Sequence, residues 1–493
     1  MSTVIPFGEW LPDLPPFGLQ GATIATNVLP EAKSYRPFPS LVNVTTSLGS
    51  RVIGGIFATD AATNNYNYVG IATALYQVLG ASFSTVTRLA GGAYSTNSED
   101  FWEFVNWGNT VIGVNGFTDN PQQISLGAAN FADLNVGIKA KHICTMKDFV
   151  VLGNISDSAT NVYRVRWSAI NNPASFVPSI TTLSDYQDLP SEGGPIQKIV
   201  GGEYSVIFQK RSIWRMLFVG SPLIFQFDRV HNLIGAYVPQ AVSRYQNLVF
   251  FLSEDGFYSF DGNQLDPIGR GKVDQFFFSD LSTTNSQRIN SAIDPTNKLI
   301  MWAYPSNSTT GGNPDKIICY SWAFKRWSLV EGINITYFFQ TITTGYTLDG
   351  LDSVSTNLDS LTSPLDSVQW TGGQIIMSAF NATHQLGRFN GSAMAATIET
   401  GEFQLFPGIR AMVTEVRPNT IGLSASATIT VRNRNNLTES VSTGSSAAIP
   451  NSTGFVQTRC SARYFRIRLT TTANTNFTHL IGVEVSGVPA GVR

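Results

Sequence analysis

One hairpin unit governs what this chain can fold into. Between Leu248 and Gly262 an apolar run, Leu248-Val-Phe-Phe-Leu252, leads into the turn Glu254-Asp255-Gly256. A second, aromatic run, Phe257-Tyr-Ser-Phe260, ends at Asp261-Gly262. Short β-branched or aromatic runs joined by Asp-Gly turns are hairpin signals. Looser versions recur along the chain. Val52-Ile53-Gly-Gly-Ile56-Phe57 precedes Tyr68-Val69-Gly-Ile71. Phe149-Val-Val-Leu152 precedes Tyr163-Arg-Val-Arg166-Trp167. Lys298-Leu-Ile-Met301-Trp302 precedes Lys316-Ile-Ile-Cys-Tyr320, and Lys325-Arg326 lies at the turn before Trp327. The spacing, about 40–50 residues, is that of propeller blades. The repeat is degenerate and has no Trp-Asp or Kelch signature. The expected fold is therefore all-β, with an irregular β-propeller over residues 51–400 and one short helix within 272–290.

The flanks read differently. Residues 1–50 form an extended arm, fixed by Pro12, Pro15, Pro16, Pro30, Pro37 and Pro39. Trp10, Phe17, Tyr35 and Phe38 are its anchors. The arm either lies across its own domain or docks on a neighbouring subunit. After Gly401 the strands lengthen and alternate, as in Ala425-Ser-Ala-Thr-Ile-Thr-Val-Arg432 and Tyr464-Phe-Arg-Ile-Arg-Leu469. Residues 401–493 read as a C-terminal β-sandwich.

Only 13% of the 493 residues are charged, about half the usual share. Either copies or partners cover much of the surface, or Ser, Thr and Asn replace charge on it. A net charge of −2 argues against a tight grip on nucleic acid, which needs clustered Lys and Arg. It is compatible with a conduit through which DNA slides. Cys144, Cys319 and Cys460 are odd in number and lack CxxC spacing, so no zinc knuckle or redox pair is indicated. Met1 to Pro12 carries neither a basic stretch nor an apolar run, and no apolar stretch reaches membrane-spanning length. The chain is expected to be made and folded in a reducing cytoplasm.

A second pattern occupies residues 348–373. Leu351-Asp352, Leu358-Asp359 and Leu365-Asp366 fall seven residues apart. That odd spacing cannot keep three leucines on one face of a continuous strand, and Gly350 and Pro364 oppose a helix. Three short rungs broken by turns satisfy both constraints. Asp349, Asp352, Asp359 and Asp366 would then cap turns, present negative charge to a channel, or bind calcium.

Catalytic motifs are absent from the sequence. There is no HExxH and no G-x-S-x-G, and His142, His231, His384 and His479 are isolated along the chain. Gly269-Arg-Gly-Lys272 lacks the first Gly and the hydroxyl residue of a phosphate loop. Neither an enzyme nor a cofactor is expected.

The chain resembles the tail nozzle proteins of short-tailed bacteriophages, also called tail tube or packaged-DNA stabilisation proteins. The resemblance rests on motifs in a fixed order. They are Glu9-Trp10-Leu-Pro-Asp13, Ala25-Thr-Asn27-Val28-Leu-Pro30, Tyr35-Arg36-Pro37-Phe-Pro-Ser40, Arg166-Trp167-Ser168 and Ser191-Glu-Gly-Gly194-Pro195. The Leu252–Gly262 hairpin follows, and then the Leu-Asp-Ser ladder ending in Trp370-Thr-Gly-Gly373. They span about residues 5–400; the C-terminal sandwich matches nothing in that family. The resemblance implies a virion structural protein at the distal end of a short tail, synthesised in the host cytoplasm. It implies a homohexameric ring below a tail adaptor, next to tail fibres or a needle. Double-stranded DNA would make transient contact with its channel. Rival classes are a receptor-binding or tail-spike protein and a carbohydrate-binding propeller.

Overall fold

The computed structural model describes residues 2–342, 357, 375–423, 427–450 and 452–491. The Leu-Asp ladder, with Asp349, Asp352, Asp359 and Asp366, lies outside the described residues.

The chain is all-β, an irregular β-propeller with an extended N-terminal arm and a C-terminal β-sandwich. Among the described residues, seven antiparallel four-stranded blades follow in order over 54–85, 103–133, 139–188, 196–231, 243–267, 290–331 and 335–393. The hairpin unit of the sequence is the heart of blade five. Leu248–Ser253 pairs with Gly256–Phe260, which pairs with Leu265–Pro267. The first strand of each blade lines the axis. Between successive blades lie separate apolar clusters, such as Val151, Trp167, Ile207 and Phe225 between blades three and four. Trp102 fills the gap between blades one and two. It fits because Gly54 and Gly70 have no side chain, and a Cβ on either would lie within 2.4 Å of Trp102. The one α-helix among the described residues, Asp274–Asp280, follows blade five.

Blade seven takes only three strands from its own stretch of chain. Its outermost strand is Pro39–Asn43 from the arm, antiparallel to Leu386–Ala393. The first and last parts of the propeller are thereby hydrogen-bonded together. In the same blade Ile342 pairs with Ile375, so the two strands flanking the ladder end side by side.

The rest of the arm joins the two domains. Ala22–Thr26 pairs with Thr397–Thr400 of the sandwich and bridges to Leu329 of blade six. A nine-stranded sheet results, running from blade six through the arm into the sandwich. Ser2–Pro6 and the hairpin Val28–Pro30/Tyr35–Pro37 pair with the last strand, His479–Pro489. The first sandwich strand, Thr397–Thr400, thus starts ahead of Gly401, and each sandwich sheet is joined by arm strands.

Of the two readings of the arm, across its own domain or docked on a neighbouring subunit, these pairings match the first. Trp10, Tyr35 and Phe38 are buried within their own chain. Trp10 meets Phe276 edge-on at 5.3 Å. Tyr35 lies under the Arg326 guanidinium at 4.5 Å, and Arg326 also donates to the backbone carbonyls of Gly8 and Glu31. Phe17 alone stays half-exposed, at 43%, edge-on to Tyr464 at 5.2 Å. Aromatic mass in a proline-rich arm is needed wherever the arm is buried, and the sequence does not say against what.

Replacing a buried tryptophan by alanine removes its transfer energy and leaves a cavity, costing about 3–5 kcal/mol. Trp10→Ala should therefore destabilise the isolated chain by that amount in urea unfolding. An arm serving only a neighbouring copy would leave the isolated chain unchanged.

Candidate functional site at the propeller axis

The inner strands of blades two to four each carry a titratable residue followed by an apolar one: Glu103-Phe104, His142-Ile143 and Lys198-Ile199. In a propeller these strands face one axis, so residues far apart in sequence converge. The Glu103 Oε1 accepts from Lys198 Nζ at 2.7 Å, His142 Nδ1 at 3.0 Å and Gln240 Nε2 at 3.3 Å. Its Oε2 faces the Ile143 N–H at 3.4 Å. Glu103 and His142 are 6% and 3% exposed. Burial by itself pushes the Glu103 carboxyl up, but the charges of Lys198 and His142 outweigh it and hold the group at about 2. Glu103 is therefore a fixed anion with its lone pairs engaged, set in the middle of the axis.

On one side of this cluster lies a cavity of about 380 Å³. It occupies the end of the axis where each blade's outer strand crosses to the next blade. Its walls include Glu99, Asp100, Phe117, Lys141, Asn154 and Gln197. The acids are individually paired: Asp100 with Lys141 at 2.7 Å, Glu99 with Arg288 at 3.7 Å, Glu103 with Lys198. On the other side, smaller spaces are lined by Gly55, Tyr337 and Val242.

Two strand irregularities fall on the cavity wall. In blade three the register breaks between Gly153 and Ile155, opposite Val162 to Arg164. Asn154, at the break, adopts φ of 55°, a left-handed conformation that Asn tolerates better than most residues. Its Nδ2 donates to the Ile196 carbonyl at 2.9 Å, while its buried Oδ1 accepts no hydrogen bond. In blade four the register slips between Ile196 and Lys198, so Gln197 is the extra residue of a bulge. Bulges re-aim side chains and are frequent beside functional sites.

The residues singled out in sequence fall elsewhere. Trp10, Tyr35 and Phe17 lie at the junction of arm, propeller and sandwich, and Phe38 packs against blades six and seven; none is at the axis. Of the four histidines, His142 alone joins the axial cluster. Arg164 and Arg166 share Asp157 at the rim of blade three, Arg164 also pairing with Asp188, and Trp167 is a core residue. Lys272, in the glycine-rich turn, pairs with Glu9 of the arm at 2.6 Å. No group of acidic, His and Cys residues fit to hold a metal occurs among the described residues.

No family model and no curated protein matches the chain. Solved structures with a similar fold include the Pan2 WD40 domain of Neurospora crassa, at 6% identity and TM-score 0.37. It covers 73% of this chain and 96% of its own. An exo-β-1,3-galactanase of Phanerochaete chrysosporium matches at 9% identity and TM-score 0.28, covering 89% and 100%. AztD of Citrobacter koseri matches at 12% identity and TM-score 0.28, covering 62% and 92%. No residue or activity is carried over from them.

The depressed Glu103 carboxyl sets a pH dependence. A group with an unfolded value near 4.5 and a folded value of about 2 stabilises the fold above the unfolded value. That stabilisation, on the order of 3 kcal/mol, is lost as pH falls from 4.5 through 2. Glu103→Gln strands the Lys198 charge in the axis and should cost about 3–5 kcal/mol at neutral pH. It should also flatten the acid limb, as urea unfolding across pH would record.

Proposed function

We propose that this chain is a non-enzymatic structural protein of a phage virion. Several copies would form the distal nozzle ring of a short tail, which holds the genome end and then conducts it. The ordered motifs from Glu9 to Gly373 support the family. The observation in the fold that favours a structural part is the arm. It closes the propeller and splices blade six to the sandwich in one nine-stranded sheet, making a single stiff body that transmits load through backbone hydrogen bonds. The axis of one propeller is filled by Glu103, His142, Lys198 and Gln240. A DNA conduit would therefore run between copies and not through one chain. The adaptor above the ring, and the fibres or needle beside it, follow from the resemblance.

Mixed with a tail adaptor, the chain should assemble into rings, six copies being the expected number on the resemblance, and it should be found at the distal tail of purified virions. Electron microscopy and native mass measurement check this. A monodisperse monomer unchanged by the adaptor, and absent from virions, would overturn the proposal.

The axial acids support a non-catalytic role. Glycoside cleavage needs one carboxyl able to donate a proton. Glu103 is held ionised, and Asp100 is tied to Lys141. Assays on capsular polysaccharide and peptidoglycan should show no turnover. Turnover abolished by Asp100→Asn would defeat this part of the reading.

A further inference from the structure

We propose that the axial cavity beside Glu103 is a binding site for a small neutral polyhydroxylated ligand, a sugar residue. This stands apart from the nozzle reading, because the cavity belongs to a single chain whatever that chain assembles into.

The cavity's size, about 380 Å³, lies in the range of small-molecule sites and suits one or two sugar rings. The charge on its walls is balanced pair by pair: Asp100 with Lys141, Glu99 with Arg288, Glu103 with Lys198. An anion would meet carboxylates, and a cation would have to displace an ammonium or guanidinium. A neutral ligand does neither.

The wall also offers hydrogen-bonding groups of both senses. Asn154 forms part of the wall, with its Oδ1 unpartnered but closed off behind the cavity surface. Gln197 makes no side-chain hydrogen bond to the protein, and its amide can both donate and accept. A hydroxyl also does both, so the hydroxyls of a sugar match the Gln197 amide better than a carboxylate or an amine does. Phe117, half-buried with Lys141 at 5.2 Å from its ring, supplies the apolar surface that the C–H face of a sugar ring needs.

The backbone argues the same way. Asn154 and Gln197 sit at register breaks in neighbouring blades, and Asn154 holds a left-handed conformation. A regular blade would need neither. Strain of this kind persists where the surrounding structure enforces it, and it clusters at ligand clamps. Here both irregular residues border one cavity.

The test is titration of the intact chain with glucose, galactose, rhamnose, N-acetylglucosamine and their β-linked disaccharides, read by saturation-transfer NMR and calorimetry. At least one should bind saturably, with Kd about 1 mM. Gln197→Ala, which loses no protein hydrogen bond, and Phe117→Ala should each weaken that binding by about tenfold or more, with the unfolding midpoint unchanged for Gln197→Ala. Inorganic phosphate and glucuronate, titrated in parallel, should not compete. Failure of every sugar to bind the folded chain would overturn the proposal. Binding of unaltered strength in both variants, or preference for the anions, would overturn it equally.

Discussion

The structure depends on one antiparallel pairing, that of Pro39–Asn43 with Leu386–Ala393. A ring of blades has two loose edges until the chain's beginning and end are joined, and an open edge strand is a site for unwanted pairing. Here an arm strand becomes the outermost strand of the last blade, so each end of the propeller holds the other. The residues before it, from Ser2 to Pro37, are committed by the same act. They must pass between propeller and sandwich to reach that edge. The apolar contents of the passage, Phe7, Trp10, Val28 and Tyr35, merge with Phe257, Trp302 and Trp327 of the blades and Phe465 and Val483 of the sandwich in one core. The two domains therefore share apolar interior as well as a sheet.

Closure also explains how charge survives at the axis. Seven inner strands brought to one axis leave a narrow space in which Glu103 and His142 are buried. An isolated carboxylate there would be neutralised by desolvation. Glu103 stays ionised because two neighbouring blades deliver Lys198 and His142 to it, and a backbone N–H and the Gln240 amide cover the remaining lone pairs. A buried pair of this type contributes little net stability but is costly to break. It acts as a register pin. Blades two, three and four have to present their first strands at one height, or the cluster cannot form.

Much of this fold is legible in the sequence, because local rules carry it. The Leu248–Gly262 unit reads as hairpins and forms them, and the helix falls inside the expected 272–290. The Tyr464-Phe-Arg-Ile-Arg-Leu469 run alternates as a sandwich strand should, with Phe465, Ile467 and Leu469 buried. The ring closure is not legible. Pro39–Asn43 is short and proline-led, features of an edge strand, but nothing local names the strand more than 300 residues away that it pairs with. The axial site is opaque for the same reason. Glu103 lies 39 residues from His142, 95 from Lys198 and 137 from Gln240. The available signal was a titratable residue followed by an apolar one in the first strand of three successive blades, at Glu103, His142 and Lys198.

The disposition of charge bears on what could slide past this surface. The densest set of cations on the sandwich, Arg432, Arg434, Arg466 and Arg468, is folded around the buried carboxylates of Glu399 and Glu402. At the propeller rim, Arg164 and Arg166 are spent on Asp157 and Asp188. Each phosphate contact a protein makes releases counterions and adds affinity, so a wall of free arginines would hold DNA and stall it. Arginines paired inside the fold present a dipole whose field fades within about 8 Å at physiological salt. On the nozzle reading proposed above, a chain with 13% charged residues and guanidinium clusters compensated from within would suit a wall that a polyanion passes without being held. The sugar site proposed above lies apart from that surface, at the propeller axis, where the wall charges are paired.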